Sequence, residues 1–104
     1  MPLPELTAQQ RDDALEKATA ARRRRAEVKV GLKSRNISLG QFFEMANEDE
    51  ALAKMRAKSL LESLPRVGVH RSALIMDEIG ISRTRRVRGL GRVQREALLD
   101  MFGH

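Results

Sequence analysis

The stretch Ser59-Leu60-Leu61-Glu62-Ser63-Leu64-Pro65-Arg66-Val67-Gly68-Val69 decides the fold. Leu60, Leu61 and Leu64 fall on one face at helical spacing, and Pro65 stops the run because it removes an amide donor and pushes the preceding residue out of the helical region. Gly68 then lets the chain turn, and Ala73, Leu74, Ile75, Met76 and Ile79 resume an apolar run that Gly80 is placed to cap. Two helices joined by a tight hairpin are therefore expected here. Downstream, Val93, Ala97, Leu98, Met101 and Phe102 predict a last helix with an apolar face. Upstream, Leu52, Met55 and Ala57 continue the helical spacing, with a break expected near Arg56 to Lys58. Ser38 with Gln41 and Thr7 with Gln10 are capping-box pairs that start two earlier helices. The first should run through Ala14, Leu15, Ala18, Ala21, Val28 and Leu32 toward Ser34, and Arg35-Asn36-Ile37 is a joint. No run alternates as a strand would, so the chain reads as all-α. It divides into an N-terminal basic helix over residues 1–36 and a compact helical domain over 37–104.

That first helix has a thin apolar stripe made mostly of alanine, so it gains little from burial and should lean out from the body. Arg22, Arg23, Arg24 and Arg25 project to all sides of it, with Lys29 and Lys33 following. Three readings stay open for them: a solvated charged helix, a second contact with a polyanion, or a helix that orders on binding. The acidic cluster Glu44, Glu48, Asp49 and Glu50 reads as carboxylates solvating helix ends and favouring the next helix start.

With 104 residues the chain suits one compact domain and an extension. A formal net charge of +6 and a pI near 10.7 point to nucleic acid or an anionic membrane surface. No segment approaches the roughly 18 unbroken apolar residues of a membrane span, and the N-terminus lacks a basic region followed by an apolar core, so the expected location is cytoplasmic. The absence of cysteine excludes disulfides and thiolate zinc sites. Three Phe, with neither Tyr nor Trp, argue against single-strand binders that stack bases on exposed rings.

Charge concentrates in Thr84-Arg85-Arg86-Val87-Arg88-Gly89-Leu90-Gly91-Arg92. Between Arg83 and Arg92 there are five arginines and no acidic residue, so a polyanion is the expected partner rather than a small neutral substrate. Gly89 and Gly91 allow close backbone approach just where the unpaired amides of the next helix point outward, a geometry that attracts phosphate. Pro65, Arg66, Val67 and Gly68 form a second glycine turn leading into a helix. Each turn on its own is also explained as a tight helix connection, but that explanation leaves the arginines unaccounted for.

Catalysis is not expected. His70 and His104 are the only histidines, neither has a partner at metal-ligand spacing, and the hydroxyl residues stand in caps and turns. Neither metal nor cofactor is called for.

Leu64 to Val69 resembles a helix-hairpin-helix, whose hairpin amides hold nucleic-acid phosphates without reading bases, although Arg66 stands where that motif more often has glycine. The opening Leu-Pro-x-Leu-Thr-x-x-Gln-Arg, the Ala-Leu-Glu-Lys-Ala helix, Ser59 to Gly68 and Thr84 to Gly91 together resemble the actinobacterial integration host factor family over nearly the whole chain. The resemblance implies a monomeric nucleoid-associated protein with a helix-two-turn-helix body. Such a protein binds double-stranded DNA with little sequence preference, bends or compacts it, and in some members assists phage integration. It further implies Arg85, Arg86 and Arg88 as main DNA contacts, with the backbone of Pro65 to Gly68 as a second grip. The chain departs from the family pattern at Arg92-Val93 and Val69-His70. A ribosomal protein family of the small subunit is similar in fold, which leaves RNA binding as the alternative. Met1-Pro2-Leu3-Pro4-Glu5-Leu6 is similar to the N-terminus of formamidopyrimidine-DNA glycosylases. Leu3 occupies their glutamate position, however, and neither their zinc-finger cysteines nor room for their β-rich domain is present.

Overall fold

The computed structural model describes residues 7–104, so the glycosylase-like Met1 to Leu6 lies outside the described residues. The first helix, α1 (Ala8–Lys33), opens on the expected capping box: the Thr7 hydroxyl accepts from the Gln10 amide at 3.1 Å, and the Gln10 side chain accepts from the Thr7 amide at 2.9 Å. It buries only Val28 and Leu32, and Leu15 is 63% exposed. At 1.5 Å per residue the helix is about 39 Å long, which accounts for the longest molecular extent of 47 Å. The radius of gyration, 15.9 Å, exceeds the roughly 13 Å of a compact chain this long for the same reason. As expected, α1 leans out, but its last two turns belong to the core, so the body begins ahead of the joint at residue 36.

The body is built from α2 (Leu39–Glu48), α3 (Glu50–Ala53), α4 (Ala57–Glu62), α5 (Val69–Ile79), a 3₁₀ turn at Val87–Gly89, and α6 (Arg92–Phe102). Ser38 and Gln41 form the second capping box, which starts α2 and aims Leu39, Phe42, Phe43 and Ala46 inward. Asp49 ends α2 and caps α3, its carboxylate accepting the Ala51 amide at 3.0 Å. Met55, within a break between α3 and α4, and Ala57, just after it, are both buried. This break lies at Lys54–Arg56, about two residues earlier than the sequence suggests, because Arg56 is drawn into extended backbone by a partner described below.

Leu60, Leu61 and Leu64 are buried as expected, and Val67 follows them into the core. Gly80 ends α5 at φ 83°, in the left-handed region that favours glycine. In the hairpin itself Arg66 has φ 64°. The related motif's preference for glycine at this position thus has a physical reason, since a Cβ is strained there. Arg66→Gly is expected to raise the unfolding free energy by roughly 0.5–1 kcal/mol, the relieved strain exceeding the greater unfolded-state freedom of glycine. Thermal denaturation checks this, with a rise of a few degrees expected for a chain of this size.

The last helix corrects one expectation. Val93 is 78% and Met101 41% exposed, while Leu98 is fully buried and Leu99 and Phe102 pack against the core. The inward stripe is fully buried Leu98 with half-buried Arg95, Leu99 and Phe102; of the expected Val93, Ala97, Leu98, Met101 and Phe102, Val93 and Met101 face outward. Arg95 heads it because its guanidinium lies 5.2 Å from the Phe43 ring centre, an amphipathic side chain covering an aromatic face. The backbone oxygen of His104, itself exposed, lies 2.6 Å from where a Cβ on Gly40 would stand, so a larger residue at position 40 would displace the end of the chain.

Candidate nucleic-acid interface

The arginine loop is anchored by a contact between residues 30 positions apart. Arg56 and Arg86 form an isolated antiparallel bridge, in which the Ala57 amide donates to the Arg85 carbonyl at 2.9 Å and the Val87 amide to the Met55 carbonyl at 2.8 Å. One guanidinium nitrogen of Arg86 adds a hydrogen bond to the Lys54 carbonyl at 2.7 Å. Val87 and Leu90 are buried and pin the far side of the loop, and Arg95 donates to the Val87 carbonyl at 3.4 Å from beneath. The loop is therefore held from several directions while its arginines stay exposed.

Ser82, Thr84, Arg85, Arg86, Arg88 and Gly89 line a shallow depression of about 270 Å³. The side chains of Arg85 and Arg88 have no hydrogen-bond or ion-pair partner among the described residues, which leaves their guanidinium donors open to an external anion. A Cβ on Gly89 would stand 2.9 Å from Cδ of Arg85, so glycine there lets the Arg85 stem lie close over the turn. The other two arginines of the segment are engaged differently. Arg83 forms a two-oxygen ion pair with Asp77 at 2.9 and 3.0 Å, and Arg92 pairs with Glu96 at 3.1 Å on α6. The acidic edge lies nearby, where the Lys54 ammonium holds the Glu50 carboxyl below the ordinary carboxylate range.

The two helix starts next to the glycine turns present free amides. In the hairpin the Val67 amide is engaged by the Leu64 carbonyl at 3.3 Å, but the amides of Gly68, Val69, His70 and Arg71 have no acceptor among the described residues. At α6 the Gly91 amide is taken by the Gln94 side chain at 2.9 Å, leaving those of Arg92 and Val93 outward. The same Gln94 side chain donates to the Gly80 carbonyl at 3.1 Å and so ties the end of α5 to the start of α6. Of the candidate hairpin residues, Val67 offers only backbone because its side chain is buried. Pro65 faces a separate, larger groove beside Leu32, Ile37, Leu39 and Phe102 rather than the arginine depression.

The α1 candidates are not equivalent. Lys33 donates to the Glu62 and Leu64 carbonyls at 3.0 and 2.9 Å, which caps α4 and fixes the hairpin entrance to α1. Arg24 bonds Asp49 at 2.8 Å and clips α1 to α3. Arg23 and Lys29 are exposed and Arg25 is half-buried, while Arg22 reaches only its own helix, at the Ala18 carbonyl. A periodicity argument treats these six alike because long-range partners do not show in it.

Residues 32–102 match the family described as S13-like H2TH domain. The full chain is 53% identical over 103 residues to the integration host factor of Mycobacterium tuberculosis, covering 99% of this chain and 98% of that one. The chain belongs to the integration host factor family. Within that family it is also 53% identical to the Mycolicibacterium smegmatis protein, covering 98% and 97% of the two chains, and 52% identical to that of Streptomyces coelicolor, covering 99% and 96%. A solved structure of sIHF bound to an 8 bp palindromic DNA is similar in fold with a TM-score of 0.82 at 50% identity, covering 85% of this chain and 99% of that one. This integration host factor fold accords with the all-α reading of the sequence.

Proposed function

We propose that this protein is a nucleoid-associated protein that binds duplex DNA through its phosphate backbone with little sequence preference. Bending or compacting that DNA, it serves site-specific recombination and gene regulation. The observation that carries the reading is the arginine depression, held rigid by the Arg56–Arg86 bridge with Arg85 and Arg88 open, in a chain 50% identical to one solved with DNA. Phosphate contacts position a protein on DNA without reading bases, and the residual preference follows DNA deformability. Arg85, Arg86, Arg88, Gly89, Gly91 and Arg92 form the first grip, and the hairpin backbone around Arg66 to Gly68, through the free amides that begin at Gly68, supplies the second. Arg22, Arg23, Arg25 and Lys29 are available for a further contact, and the protein acts as a monomer.

Titration of duplex DNA across a salt series tests this. Neutralising roughly 5 to 8 phosphates gives a slope of log affinity on log salt near −5 to −7; a slope near zero rejects it. Competition with structured RNA at matched salt separates DNA from RNA as the partner.

Rigidity of the loop has its own test. In Ala57→Pro the ring replaces the amide that bonds Arg85, while α4 tolerates proline at its first position and Arg56 is already extended. We expect about a tenfold loss of DNA affinity, equivalent to about 1.4 kcal/mol, with helix content kept. Unchanged affinity would show that the bridge does not position the arginines.

A further inference from the structure

We propose that Thr84 is a phosphorylation site whose phosphate fills the arginine depression and releases DNA. The inference rests on the interface reading above and adds a covalent control to it. Thr84 is exposed in the irregular segment between Ile81 and Val87, the two buried residues that anchor the segment at either end. Inside this segment the main chain makes one hydrogen bond of its own, from the Arg85 amide to the Ser82 carbonyl at 2.9 Å, and its ties to the rest of the body, the Arg83–Asp77 pair and the Arg56–Arg86 bridge, flank Thr84 on either side and leave its hydroxyl accessible. Among the other hydroxyls, Thr7 and Ser38 cap helices, Ser34, Ser63 and Ser72 donate to main-chain carbonyls, and Thr19 and Ser59 lie within the helical backbone of α1 and α4. Thr84 instead meets only the Ser82 hydroxyl, at 3.2 Å.

Its surroundings suit the modified form. The Thr84 side chain lines the same depression as Arg85, Arg86 and Arg88, and arginines stand at positions 83, 85, 86 and 88 around it. Arg83 is paired with Asp77, so the charge left facing the depression is that of the other three. A phosphoryl group brings about −1.5 to −2 charges and three strong acceptors, which placed against arginines form charge-assisted hydrogen bonds. Attached at Thr84, it is an intramolecular competitor for the groups that would otherwise hold a DNA phosphate. Ser82 is a poorer acceptor because it adjoins buried Ile81, whose amide is bonded to Met76 at 2.8 Å.

The reaction is ordinary phosphoryl transfer from ATP by a protein kinase that accepts basic segments. A bond forms between the γ-phosphorus and Oγ1 of Thr84 as the bond to ADP breaks, and the hydroxyl proton passes to the kinase's base. A phosphatase reverses it with water.

The test has two arms on the full chain. In the first, phosphothreonine is installed at position 84 by genetic encoding and DNA affinity is measured across a salt series. The expected result is a loss of about a hundredfold and a salt slope less steep by about 2, both restored by phosphatase. In the second, wild type, Thr84→Val and Ser82→Ala are treated with an arginine-directed kinase and ATP, and the modified peptide is identified by mass. The phosphoryl group is expected on wild type and on Ser82→Ala but not on Thr84→Val. Affinity and slope unchanged by phosphothreonine, or a kinase product lying elsewhere, overturns the proposal. If unmodified protein fails to bind DNA, it is the interface reading that falls.

Discussion

Replacing Arg85, Arg86 and Arg88 together by alanine is expected to lower DNA affinity by on the order of a thousandfold near 0.1 M salt, taking about tenfold per lost charged contact. The salt slope should flatten by about 3, since each neutralised phosphate contributes close to 0.9. Helix content should persist, because all three side chains are exposed and only Arg86 has a partner, the Lys54 carbonyl. That bond makes the single variants informative. Arg85→Ala and Arg88→Ala each remove an open donor set, whereas Arg86→Ala also loosens the bridge to Arg56. Circular dichroism alongside binding isotherms checks the prediction. A triple variant that is folded and binds normally would remove the arginine depression from the proposed function.

Much of this architecture is legible in the sequence because its signals are local. Thr7 with Gln10, Ser38 with Gln41, Pro65 before Gly68, and Gly80 each act within a turn or two of the chain, and each appears where expected. The arginine cluster is legible for the same reason, being a run of charge. What holds the cluster is not local. The Arg56–Arg86 bridge joins single residues with no alternating pattern on either side, and Lys33 finds its acceptors about 30 residues away. In α6 the misreading arises from chemistry. Periodicity counts arginine as polar, yet the stem and guanidinium of Arg95 cover Phe43, and this turns Val93 and Met101 outward. The signal available beforehand was the i, i+3, i+4, i+7 spacing of Arg95, Leu98, Leu99 and Phe102, which is regular once a long cationic side chain is allowed at its head.

Phe42→Ala is expected to be the most destabilising single change in the body. Phe42 is fully buried on α2 and meets Phe43 edge-on, with ring centres 5.9 Å apart. Truncation of a buried phenylalanine costs about 3–5 kcal/mol through lost transfer energy and the cavity left behind. A chain this size has roughly 5–15 kcal/mol of stability in all. The melting temperature should therefore fall by well over 10 °C, at several degrees per kcal/mol. Leu15→Ala, on the outlying part of α1, should move it hardly at all, because the side chain is already 63% exposed. DNA then links this stability to the proposed function. A ligand that binds only the folded state at a hundred times its dissociation constant adds about 2.7 kcal/mol, so duplex DNA should recover part of the lost melting temperature in Phe42→Ala. Adding the three arginine substitutions to that variant should abolish the recovery without lowering the starting melting temperature much further. Equal recovery with and without the arginines would mean that DNA is held elsewhere on the fold.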